Sequence, residues 1–138
     1  MRILAALLIM LAVTPALAAI TVTDGWVRAM PPGAKNSAGY LEIRNPGGAA
    51  DELLGARIDG VRVTELHEMV DAGDGTKYMQ HRNTIAVPAS GHVLLAPGGL
   101  HLMLIDLQRP LQAGEKLGGT LHFRKAGEVK VEMEVRMP

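Results

Sequence analysis

Short segments in which apolar and polar residues alternate, cut by glycine and proline, confine this chain to an all-β fold. Val129, Val131, Met133 and Val135 alternate with Lys130, Glu132, Glu134 and Arg136. A period of two puts the apolar set on one face of a strand and the charges on the other. Leu41 and Ile43 alternate likewise with Tyr40, Glu42 and Arg44, and the breaker Asn45-Pro46-Gly47-Gly48 ends that segment. Further strands are predicted at 20–28, 52–58, 62–70, 77–82, 84–87, 92–95, 100–107 and 120–124, with turns such as Pro31-Pro32-Gly33, Pro97-Gly98-Gly99 and Gln112-Ala113-Gly114 between them. No long stretch beyond residue 18 carries a helical apolar period. Strands recurring roughly every ten residues with turn signals predict a β-sandwich or Greek-key barrel, here as one domain without linkers or repeats.

The first residues read as an address. Arg2 gives a short basic start, residues 3–13 form an apolar run, and Pro15 with Ala16-Leu17-Ala18 makes a small-x-small cleavage site. The run is short for a membrane span and no second one follows. We therefore expect residues 1–18 to be a cleaved secretory signal and 19–138 to be the working domain, exported as a soluble protein without a membrane anchor, to the periplasm in a Gram-negative source. The chain has no cysteine, so the domain is expected to fold without disulfides and to offer no cysteine for a lipid. Its formal charge is zero, and loss of Arg2 leaves −1; no basic excess favours nucleic acid or an anionic membrane.

Without thiolates, a soft-metal site must come from methionine and histidine. Three i, i+2 pairs stand out: His67-Glu68-Met69, Met79-Gln80-His81 and His101-Leu102-Met103. On a strand, each pair aims an imidazole and a thioether to the same side. Thioether with imidazole is a ligand set that suits Cu(I). Any one pair has an ordinary explanation, since methionine fills cores and a single histidine is usually a surface or hydrogen-bonded residue. Together they account for six of the eleven His and Met residues beyond position 18. A hairpin around 71–75 would bring Met79 back near His67, and His101 begins a strand after Pro97-Gly98-Gly99.

The spacing resembles that of the periplasmic copper chaperones of the PCuAC type, which work beside Sco proteins and carry the pattern H-(M)-x10-M-x21-H-x-M. His67 is followed by Glu68 in the optional Met position, ten further residues lead to Met79, twenty-one more to His101, and Met103 completes the pattern. Asp24-Gly25-Trp26-Val27-Arg28, Gly39-Tyr40-Leu41-Glu42-Ile43-Arg44-Asn45, Leu66-His67-Glu68-Met69 and Pro97-Gly98-Gly99-Leu100-His101-Leu102-Met103-Leu104 also look like family signatures, as do residues 107–111 and Lys125-Ala126-Gly127. The resemblance implies a cupredoxin-like β-sandwich and a Cu(I) site made of His67, Met79, His101 and Met103. It also implies a carrier delivering Cu(I) toward the CuA centre of cytochrome c oxidase; no catalytic nucleophile or acid–base pair stands out in the sequence, so the chain is read as a non-enzyme, expected as a monomer. Its partners would be a Sco-type protein and cytochrome c oxidase subunit II. Met69 and His81 stand in reserve. His81 is open to three readings: an auxiliary ligand, chiefly for Cu(II) as a secondary state, a residue supporting a ligand, or a merely exposed histidine. Some family members carry a His/Met-rich C-terminal tail; with Arg136-Met137-Pro138 closing this sequence, a tail-borne Cu(II) site is not expected.

Thioether sulfur binds Cu(I) without the grip of thiolate and forms no disulfide, although it can oxidise to the sulfoxide. Imidazole ligates in its neutral form, so acid should weaken the site. A blue-copper electron carrier is excluded, because its site needs a cysteine. A zinc hydrolase on His67, His81 and His101 with Glu68 would leave the methionines unexplained. Two readings stay open beside delivery: a copper storage or resistance protein, and an exported β-sandwich that binds a protein partner without metal.

Overall fold

The computed structural model describes Ile9 and residues 19–138; the expected signal at 1–18 otherwise lies outside the described residues. Among the described residues ten strands follow one another: β1 (Thr21–Arg28), β2 (Asn36–Asn45), β3 (Asp51–Ile58), β4 (Val61–Asp71), β5 (Lys77–Arg82), β6 (Ile85–Val87), β7 (Gly91–Leu95), β8 (Leu100–Leu107), β9 (Lys116–Phe123) and β10 (Gly127–Arg136). No helix among the described residues is long and apolar enough to cross a membrane. Hydrogen bonding runs β5-β4-β8-β2-β1-β10-β9-β3-β6, with β7 on β2, and among the described residues only β1 and β10 pair in parallel. The ladder does not close on itself, and its two ends are β5 and β6. This is the all-β, cupredoxin-like single domain expected from the sequence.

β2 is shared lengthwise: Asn36–Gly39 pair with β8, and Leu41–Asn45 pair with β7. One strand thus belongs to both halves of the sandwich. The core between them is almost wholly aliphatic, built from Val27, Ile43, Leu53, Leu102, Leu104 and Leu121 among others, with Phe123 and Met133 filling the rest. Strand alternation explains the selection. Leu66, Leu102 and Leu104 face this core, so Glu65, His67, Met69, His101 and Met103 point to the other side of the sheet.

The expected strand segments are all present, but β9 and β2 begin earlier than the sequence suggests. β9 includes Gly118 and Gly119, which lie ahead of the segment predicted at 120–124. A Cβ on Gly119 would lie 2.6 Å from Ile58 Cδ1 and 3.0 Å from the Arg57 carbonyl oxygen, so glycine here permits close approach of β3 to β9. Asp51 fixes the opposite end of that pair. Its carboxylate accepts hydrogen bonds from the backbone amides of Glu52 (2.7 Å), Lys125 (2.9 Å) and Ala126 (2.9 Å), tying the β9–β10 turn to the start of β3.

Candidate metal centre

Three adjacent strands carry the His/Met pairs. β4 lies between β5 and β8, and the register sets His67 opposite both His81 and His101. Met69 stands opposite Met79, and Met103 stands opposite Glu65. All seven side chains therefore share the outer face of the sheet. The expected hairpin forms, but the residue it sets directly across from His67 is His81; Met79 sits one same-face step along. The His67 and His101 rings lie 5.8 Å apart, and the His81 ring meets His67 edge-on at 5.6 Å. Tyr40 covers the far side of His101, with ring centroids 6.4 Å apart.

Hydrogen bonds fix which ring nitrogen is free. His101 is only 4% exposed, and its Nδ1 is 3.0 Å from the Gly99 carbonyl oxygen. A carbonyl can only accept, so Nδ1 carries the proton and Nε2 keeps its lone pair. The same carbonyl accepts the Met69 amide at 3.1 Å, so one peptide oxygen locks the His101 ring to β4. Gly98, with φ of 86°, makes the turn that aims that carbonyl.

His67 is oriented by a carboxylate. Its Nε2 lies 2.8 Å from Glu65 Oε2, and Nδ1 is buried without any hydrogen-bond partner. A buried lone pair left unmatched is costly in a protein that gains nothing from it. A soft cation on the outer face would supply the missing partner, and a histidine ligand held through its second nitrogen by a carboxylate is the usual arrangement at metal sites. Glu65 was not singled out by the sequence reading, although its position two residues before His67 puts it on the same strand face. Glu68 is on the other face, 3.4 Å from Arg82, as strand geometry predicts.

The sulfurs border a surface hollow of about 470 Å³, lined by Met30, Met69, Met79, Met103, His101 and Tyr40 among others. Met79 is 46% exposed, while His101 forms the buried wall. The structure thus brings His101, Met79 and Met103 to one hollow with the reserve residue Met69, and sets His67 beside His101. His81 is exposed on the edge strand β5. Among the described residues, no group of three or more His, Cys, Asp or Glu is placed to hold a metal ion.

Residues 20–135 match the family described as "Putative lipoprotein LpqE-like", and the chain belongs to that family. The curated protein "Putative lipoprotein Lxx21020" of Leifsonia xyli subsp. xyli (strain CTCB07) is 31% identical over 117 residues, which cover 85% of this chain and 69% of the relative. Among solved structures, the copper-bound PCuAC domain from PmoF2 is similar at 28% identity and a TM-score of 0.75, over 89% of this chain and 97% of that one. The apo PCuAC domain from PmoF1 gives 29% and 0.73, over 88% and 97%. Cu(I)-DR1885 from Deinococcus radiodurans gives 26% and 0.66, over 91% and 81%. The resemblance to the PCuAC type is borne out in fold and family.

Proposed function

We propose that this protein is an exported copper chaperone that carries Cu(I) on His67, Met79, His101 and Met103. One observation carries the reading: the buried, unpartnered Nδ1 of His67, held ready by Glu65, on the strand face that also bears His101 and the thioethers. Solved relatives described as copper-bound and CuI-bound support it. Two neutral imidazoles with two thioethers favour Cu(I) over harder ions. Thioether ligands bordering an open hollow can be replaced one at a time by incoming donors, so transfer proceeds by exchange rather than by release into water. Copper is the cargo, and no bond-making chemistry on a substrate is assigned to the chain.

In this reading residues 1–18 are a cleaved secretory signal, 19–138 act in the periplasm, and the recipient pathway is assembly of the CuA centre in cytochrome c oxidase through a Sco-type protein or subunit II. An anaerobic Cu(I) titration against a chromophoric Cu(I) chelator tests the binding step. One-to-one competition that weakens in Met79→Ala supports it; no competition by the wild-type protein overturns it.

A further inference from the structure

The distribution of methionine extends beyond the four ligands. Residues 19–138 contain six methionines, and four of them, Met30, Met69, Met79 and Met103, line the one hollow beside His101. Met133 alone is a core residue, fully buried. Met30 and the sixth, Met137, line a second, adjoining hollow of about 400 Å³. Methionine is normally a filler of irregular core gaps, yet here five of the six methionines line surface hollows. Met30 belongs to no His/Met pair.

Strand order places these sulfurs in sequence. Met69 and Met79 are on the β4–β5 side of the hollow, and Met103 is on β8, where it pairs with Ala38 of β2. Beyond β2 comes β1, whose Val27 pairs with Gly39, and Met30 follows the end of that strand. Met137 follows the end of β10, the parallel neighbour of β1, where the Ala29 amide bonds to the Arg136 carbonyl at 2.7 Å. The thioethers thus run from the binding face across the sheet to the paired ends of β1 and β10.

We propose that Met30 is a transit ligand for Cu(I), a sulfur on which the ion rests after leaving Met103 and before passing to an acceptor docked over the ends of β1 and β10. The inference rests on the Cu(I) reading of the site and goes beyond it by naming the exit. Thioether exchange is neutral and needs no proton, so one sulfur can replace another without charge rearrangement. Arg28 borders both hollows, and its positive charge disfavours a resident cation there. Met30 therefore serves passage and not storage.

Two measurements on the protein, with its methionine methyls labelled with carbon-13, test this. Ag(I), a redox-inert analogue of Cu(I), is titrated in, and resonances are assigned by Met→Leu substitution. Met79 and Met103 are expected to shift up to one equivalent, Met30 only beyond it, and Met133 not at all. Separately, Met30→Leu, which keeps the apolar volume, is expected to leave Cu(I) affinity within about twofold while slowing transfer to a chelator by about threefold or more. A Met30 resonance that stays fixed while Met79 and Met103 shift, or an unchanged transfer rate, overturns the proposal. Should Met79 and Met103 stay fixed as well, the Cu(I) site itself falls, and the exit with it.

Discussion

Removing Glu65 isolates the device that readies His67. In the structure the Glu65 carboxylate lies 2.8 Å from His67 Nε2, with side chains 37% and 13% exposed. In Glu65→Ala the imidazole is free to carry its proton on either nitrogen and to rotate, so part of the population loses the lone pair at Nδ1. Loss of such a supporting partner costs 10–100-fold in metal affinity, about 1.4–2.7 kcal/mol. Because Glu65 is partly exposed, water can replace some of its contribution, and the expected loss is at the lower end, about tenfold. Glu65→Gln keeps an oxygen acceptor at the same reach and should lose about threefold or less. The assay is Cu(I) competition with a chromophoric chelator under anaerobic conditions, alongside nitrogen-15 imidazole spectra that report the tautomer. Wild type should show His67 protonated at Nε2, and Glu65→Ala a mixture. An alanine variant that binds Cu(I) as tightly as wild type, with an unchanged tautomer, would refute the reasoning.

Three further outcomes follow from the packing and the charges. Met133→Ala opens a cavity in the sealed core and should cost about 2–5 kcal/mol in chemical denaturation while leaving Cu(I) affinity unaltered, separating the structural methionine from those on the binding face. Gly119→Ala drives a methyl against Ile58 and the Arg57 carbonyl and should cost about 1–3 kcal/mol; an unaffected midpoint would contradict the close β3–β9 approach. For Asp51, burial is the largest influence and raises the carboxyl, but the amides of Lys125, Ala126 and Glu52, with the Lys125 charge, together hold it below its ordinary 3.8. A depressed folded value stabilises the fold fully above pH 3.8, and this contribution is lost as pH falls through the lower folded value. Asp51→Asn should therefore be less stable by about 1–3 kcal/mol at neutral pH, since one amide of the three loses its acceptor, and the gap from wild type should narrow in acid.

Strands were legible where turn residues mark them off: Leu100–Leu107 follows Pro97-Gly98-Gly99, Lys77–Arg82 follows the glycine-containing turn at 71–75, and both have the bounds that the sequence indicates. The start of β9 was not, because Gly118 and Gly119 carry no apolar signal; what keeps them in the strand is a contact with β3, more than fifty residues away in the chain. Period-two geometry put the two members of each His/Met pair on one face, while the choice of His67, Met79, His101 and Met103 came from the resemblance; that the three pairs share a face is set by the β5-β4-β8 register. That register was not legible, since a hairpin through 71–75 can pair His67 with Met79 or with His81, and turn geometry decides. Strand geometry sets Glu68 aside and puts Glu65 on the same face as His67, but only the folded side chains show the 2.8 Å contact between them. Met30 lies far from the pairs along the chain, and only the β1–β2–β8 order brings it to the same hollow.

X-ray absorption at the copper edge, on the protein loaded anaerobically with one equivalent of Cu(I), tests the central claim most directly. The account predicts a Cu(I) edge with both nitrogen and sulfur neighbours, and a weaker sulfur contribution in Met79→Ala. A shell of nitrogen and oxygen alone would contradict it, because the thioethers would then have no part in holding the metal.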